Sequence, residues 1–247
     1  MEFAEESLQS RQTEIPKWTA EELERLVFAG KPKVAVLDCD GTLWKGDAAV
    51  GFMNWSIDQG LVSRSTIDWM DARYRDYLAG GVSELEICGE MVQIYAGLRE
   101  QELQEAAARF MGEFLPGAIF TEMAALVAAL RRAGVELWAV SSTCRWVIVE
   151  GARVFGIPEE RVMAVELGVS KGVLTSELVD VPTDEKKAES LVRRGVTRPD
   201  AVFGNSIHDL AMLEMGRAAY PVNPTAELLQ AAAGRGWGYF MPLGAEG

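Results

Sequence analysis

Asp38 and Asp40 carry the strongest chemical signal in the chain. They are two carboxylates two residues apart, followed at once by Gly41 and Thr42. Acids this close repel each other, and a hard, oxygen-seeking cation such as Mg2+ would offset that repulsion. One acid could then attack an electrophile while the other moves a proton. The same four residues could also be a solvated turn, because Asp-Gly is a common turn signal. What precedes them favours chemistry. Val34, Ala35, Val36 and Leu37 form an unbroken apolar run that reads as a short buried strand. In open α/β sheets ligands bind outside the carboxyl ends of the strands, which is where this strand delivers its two acids.

Further candidates lie downstream. Leu137-Trp-Ala-Val-Ser-Ser142 is an apolar run ending in hydroxyls. Ser141 could bind an anion there or cap the following helix. Lys186 and Lys187 open a helical pattern, and either could be the cation that faces the acids. Val202-Phe-Gly-Asn-Ser-Ile-His-Asp209 ends a fourth apolar run with Asn205, the chain's single histidine, His208, and Asp209.

The elements that must position these residues alternate. A capping box at Thr19-Ala-Glu-Glu opens a helix to about Ala29. Strands are expected at 34–37, 135–140, 162–166, 201–203 and 219–222, with helices at 121–132, 145–155, 207–215 and 225–233 between and after them. Thr183 or Asp184 is expected to cap a helix running to Arg194. The Gly-spaced stretch 167–178 reads as a β-hairpin. Residues 1–16 read as a loose polar arm. Between Trp44 and Phe114 no strand is legible. Helical stretches at 47–59, 65–78, 83–95 and 99–114 are separated by glycines. The fold class is therefore α/β, a doubly wound parallel sheet with a helical insert placed directly after the first core strand. Residues 1–44 and 115–247 are expected to form the core and 45–114 a cap over the strand end.

Asp38-Cys-Asp-Gly-Thr-Leu-Trp44 resembles the first motif of the haloacid dehalogenase superfamily in its phosphatase form. The serine-ended strand, the lysine and the Gly204-Asn-Ser-x-x-Asp209 stretch resemble the later motifs, in order, from about Val34 to Trp237. The insert and the last motif look most like the phosphoserine-phosphatase-like branch. The resemblance implies a Rossmann-like core with a cap and a Mg2+-dependent phosphomonoesterase acting on a small phosphorylated metabolite. Asp38 would be the nucleophile, forming an aspartyl-phosphate, and Asp40 the general acid and then base. Thr42, Ser141, Ser142 and Lys187 would serve the phosphate. Asp38, the Asp40 carbonyl, Asn205 and Asp209 would hold the metal. Lys187 fits the family spacing better than Lys186. His208 would make a second-layer or phosphate-side contact. The acid at Asp40 argues against a dehalogenase, since those members lack it.

One departure matters. The family usually has Asp where this chain has Asn205. An amide offers an oxygen but no charge, so metal should bind more weakly. That keeps open a catalytically weak protein that binds phosphorylated ligands. A phosphotransferase is also open, because water and another acceptor cannot be told apart in a sequence.

The resemblance also bears on substrate. Asp47 falls where that branch holds a substrate amine. The arginine that takes the substrate carboxylate is expected in helix 83–95, which has no Arg but carries Glu84, Glu86 and Glu90. These features point to a phosphorylated amino alcohol without a carboxylate, such as phosphoethanolamine or phosphocholine, with a phosphoserine-like substrate as the alternative. Trp44, Trp55, Trp69, Tyr74 and Tyr77 are candidate aromatic contacts for a cationic head group.

Composition bounds the rest. A net charge of −13 over 247 residues argues against nucleic acid as a partner. Three scattered cysteines, with Cys39 read as a small buried apolar residue, suit a reducing cytoplasm. No apolar run approaches membrane-spanning length, and the acidic start Met1-Glu-Phe-Ala-Glu-Glu lacks a signal-peptide core.

Overall fold

The computed structural model describes residues 15–245. Its centre is a six-stranded sheet in the order β5-β4-β3-β2-β6-β7. The strands are β2 (Val34–Leu37), β3 (Glu136–Cys144), β4 (Val162–Ser170), β5 (Val173–Asp180), β6 (Ala201–Gly204) and β7 (Ala219–Pro221). All pairs are parallel except β4 with β5, the expected hairpin. The chain leaves β2 for β3 and β4 on one side, then returns to β6 and β7 on the other. The carboxyl end of β2 therefore lies at the topological switch point, where the crevice of such a sheet opens.

Strand alternation divides the core. Val36 faces Val140, Val202, Leu191 and Met212 on one side of the sheet. Ala35 and Leu37 face the other, with Val127, Leu130, Val147 and Ile148. Both faces of β2 are covered, which explains why it reads as a continuous apolar run. The helices at 20–29, 121–132 and 145–154 match their expected positions closely, and the Thr19 capping box is formed.

Between β2 and β3 stand helices Ala48–Asp58, Arg64–Leu78, Glu84–Gln93 and Glu100–Phe114. A second capping box, Ser83 with Glu86, starts the third of them. The Phe52 ring packs against Tyr95 and Phe110 at tilts of 43° and 54° in the middle of this insert. The β4–β5 hairpin grips it. The Leu174 carbonyl accepts from the Gly97 N–H, the Leu174 N–H donates to the Leu98 carbonyl, and Gln93 Nε2 donates to the Ser176 carbonyl.

Several expectations shift. β3 and β4 run four residues further than their apolar stretches suggest. Ile207–Asp209 is a 3-10 turn, and the α-helix proper is Leu210–Met215. Neither Thr183 nor Asp184 caps helix Glu185–Arg193 with its side chain. Asp184 sits at φ +49, and its carboxylate turns instead to His208. Residues 1–14 of the expected arm lie outside the described residues, while Lys17–Trp18 (β1) pairs in parallel with Tyr239–Phe240 (β8) as a small second sheet. Among the described residues no helix is long and apolar enough to cross a membrane.

Candidate active site

A cavity of about 650 Å3 opens where the end of β2 meets the helical insert. Its floor is Asp38, Asp40, Ser141, Ser142, Thr143, Lys187 and Asn205. Asp47, Tyr74, Tyr77, Glu84 and Met91 from the insert form its opposite wall.

Asp38 ends β2 and is nearly buried, at 4 % exposure. Lys187 Nζ donates to its Oδ1 at 2.8 Å and the Thr42 hydroxyl to its Oδ2 at 2.8 Å. Burial, then the nearby Asp209 carboxylate, pushes its carboxyl up to about 7, against the pull of Lys187. Lys187 itself, 2 % exposed, is held firmly charged by Asp209 and Asp38, which outweigh its burial. The choice between the two lysines is thereby resolved in space, because Lys186 is exposed.

Asp40 sits in a different environment. Its Oδ1 accepts from Trp44 Nε1 and from the Ala48 N–H, each at 2.7 Å, and its Oδ2 from the Thr143 hydroxyl at 2.8 Å. Burial and then Asp47 lift its carboxyl to about 6, against those three donors. Thr143 carries no expectation from the sequence. Its only signal is that it extends the hydroxyl run begun by Ser141 and Ser142. Ser141 is buried, accepts from the Thr143 N–H at 3.1 Å and retains a proton to donate, and it does not cap the helix that follows.

Two placements depart from the roles the resemblance implies. Thr42 is fully buried and does not line the cavity, and its hydroxyl holds Asp38. Asp209 is also fully buried and turned away. Its Oδ1 accepts from Lys187 at 2.5 Å, and its Oδ2 from the Asn205 and Ser206 N–H groups at 2.8 and 3.0 Å. It fixes the lysine and the loop.

Among the described residues no cluster of three or more His, Cys, Asp or Glu side chains forms a metal cage. The oxygens that remain are Asp38, the Asp40 carbonyl and the Asn205 amide, which stands against the turn. All are hard donors of the kind Mg2+ accepts, with water or a ligand completing the shell. Gly41 makes this approach possible. It adopts φ +72, and a Cβ there would lie 2.0 Å from Asn205 Nδ2. Gly41→Ala is therefore expected to destabilise the protein by roughly 1–3 kcal/mol and to displace Asn205. A fall in the urea unfolding midpoint together with lost activity would check this.

The aromatic candidates divide. Tyr74 and Tyr77 line the cavity. Trp44 is fully buried under Asp40, Trp55 lies beneath Arg109, and Trp69 is 45 % exposed away from the cavity. Cys39 is buried, as expected. His208 lines the cavity, with Nδ1 2.7 Å from Asp184 Oδ1.

Fold and site define a doubly wound α/β protein with a strand-end aspartate clamped by a buried lysine beneath a helical insert. A family model described as haloacid dehalogenase-like hydrolase matches residues 35–214, and the chain belongs to that family. Within it the chain is phosphatase-like. It is 28 % identical over 214 residues to a histidinol-phosphatase of Neisseria meningitidis, covering 83 % of this chain and 96 % of that protein. It is 24 % identical to a probable phosphatase of Mycobacterium tuberculosis, covering 82 % and 73 %. A Bordetella pertussis protein of unknown function shares the fold with a TM-score of 0.73 at 20 % identity, over 84 % of this chain and 97 % of that one. A substrate-bound phosphoserine phosphatase does so with a TM-score of 0.57 at 14 % identity, over 85 % and 92 %.

Proposed function

We propose that this chain is a phosphomonoesterase that hydrolyses the phosphate ester of a small amino alcohol through an aspartyl-phosphate. The observation that carries the reading is the pair Asp38 and Asp40, on one cavity floor in two different hydrogen-bond environments. Asp38, oriented by Lys187 and Thr42, attacks phosphorus. The ester P–O bond breaks, and the leaving alkoxide takes a proton from Asp40, whose carboxyl is raised from its ordinary value by burial and then by Asp47. Asp40, now a carboxylate, takes a proton from water. That water attacks phosphorus, the bond to Asp38 breaks, and inorganic phosphate leaves. Ser141 and the amides near Ser142 steady the phosphate oxygens, and Lys187 balances their charge. Mg2+ would be held by Asp38, the Asp40 carbonyl and Asn205. When bound, it supplies positive charge that lets an anionic ester approach a carboxylate. The helices at 48–114 act as the cap, which limits water around the reacting groups.

The substrate class rests on the cavity wall and on one relative. Asp47 and Glu84 face the cavity, and among the described residues no arginine does. Histidinol phosphate, the substrate that the Neisseria relative's name implies, is an amino-alcohol phosphate with no carboxylate.

Phosphate release from histidinol phosphate and phosphoethanolamine, with Mg2+ titrated from none to tens of millimolar, tests the reading. Metal-dependent release is expected. Asn205→Asp should shift the Mg2+ midpoint downward about tenfold, since it restores one charge to the site. Release that appears only in Asn205→Asp would instead support a phospho-ligand binder.

A further inference from the structure

We propose that Glu84, at the insert end of the active-site cavity, selects substrates whose tail beyond the phosphate ends in a cationic or N–H-donating base and rejects tails that end in a carboxylate. The inference rests on the phosphomonoesterase reading and names the residue that sets its specificity.

Glu84 is not a freely solvated helix acid. Its side chain is 16 % exposed. Tyr77 donates its hydroxyl to Oε2 at 2.5 Å, and Cys88 Sγ lies 3.3 Å from Oε1. Burial and this hydrogen bond raise the Tyr77 pKa, so the phenol stays a donor and the carboxylate stays in place. Glu86 and Glu90, on the same helix, do not line the cavity. Glu86 completes the Ser83 capping box and Glu90 pairs with Arg73.

The core side of the cavity supplies a second polar group, His208. His208 Nε2 lies 3.8 Å from Glu84 Oε2, too far for a direct hydrogen bond. His208 Nδ1 lies 2.7 Å from Asp184 Oδ1, which holds the ring with Nε2 on the Glu84 side. Glu84 and His208 thus stand side by side on the cavity lining, within reach of one polar group on a ligand tail.

The remaining wall suits the body of such a tail. Tyr74 lines the cavity near both acids, its pKa raised by burial and then by Asp47 and Glu84. With Tyr77, Ile87 and Met91 it offers a partly aromatic surface. Aromatic faces beside carboxylates favour a cationic ring or ammonium. A tail carboxylate would meet Glu84 and Asp47. The lysines lining the cavity are Lys187, committed to Asp38 and Asp209, and Lys45, exposed at the mouth.

The test compares kcat/KM for histidinol phosphate, phosphoethanolamine and O-phosphoserine in wild type, Glu84→Gln, Glu84→Arg and Tyr77→Phe. Wild type should favour histidinol phosphate over phosphoserine by about 100-fold. Glu84→Gln should cut that ratio about tenfold, mainly through KM for histidinol phosphate. Glu84→Arg should turn the preference toward phosphoserine. Tyr77→Phe keeps the carboxylate but frees it, and should lower the ratio by less than Glu84→Gln, which guards against misfolding of the Arg variant. A ratio unchanged in Glu84→Gln, or a wild type that prefers phosphoserine, overturns the role of Glu84 while leaving the phosphatase intact. Release from none of the three esters overturns the phosphatase reading, and the inference with it.

Discussion

An Asp38→Asn protein is expected to release no phosphate yet to melt at or above the wild-type temperature. Loss of the proposed nucleophile should lower kcat by roughly four orders of magnitude or more. Stability should move the other way, because Asp38 is a charge placed at a cost. Burial and the Asp209 carboxylate raise its pKa from an ordinary 3.8 to about 7. A carboxyl whose folded pKa exceeds its unfolded one favours folding while it is protonated. That contribution is complete below about pH 4 and is lost as the pH climbs through 7. Asn pays no such penalty at any pH, and Lys187 keeps Asp209 as its partner. In EDTA, the melting temperatures of variant and wild type should therefore coincide near pH 4 and separate, with the variant higher, toward pH 8. A variant that melts lower at pH 8 would mean that the Asp38–Lys187 pair contributes more than its burial costs.

What the sequence made legible follows from how local each signal is. β2 announces itself because both its faces are buried, so four apolar residues stand together. The Thr19 capping box and the glycine-bounded helices of the insert are set within a few residues of chain. The site is legible where chemistry demands a residue type at a strand end, as at Asp38, Asp40 and Ser141. It is less legible where the direction of a side chain decides. Lys186 and Lys187 are neighbours in one helix, so their side chains point about 100° apart, and only packing selects the one that turns inward. Asp209 matches a motif position, but the 3-10 turn at Ile207–Asp209 folds its carboxylate back onto the loop amides. Trp44 has the composition of a ligand contact and is spent as a buried donor to Asp40. The β1–β8 pair joins residues from the two ends of the described chain, two on each side, and no local pattern marks so short a partnership.

Removing the cation of the site should have a larger structural effect than removing its nucleophile. Lys187→Met is expected to cost about 3–5 kcal/mol of stability and to abolish phosphate release. Among the described residues Lys187 Nζ is the one side-chain cation bonded to both Asp38 and Asp209, whose exposures are 4 % and 0 %. A methionine of similar length fills the space but leaves two buried carboxylates facing each other. Asp209 still accepts from two backbone N–H groups, so the uncompensated charge falls most heavily on Asp38. The lost stability should therefore shrink as the pH falls and Asp38 takes up a proton. It should also be partly recovered by adding Asp38→Asn in the same chain. Urea unfolding midpoints at pH 8 and pH 5, for the single and double variants, measure both effects. A destabilisation unaffected by pH and by Asp38→Asn would trace the loss to packing of the lysine stem. A coupled one ties the stability of the fold to the same ion group that aims the nucleophile. On that outcome no substitution at position 187 could tune the chemistry without also loosening the end of β2.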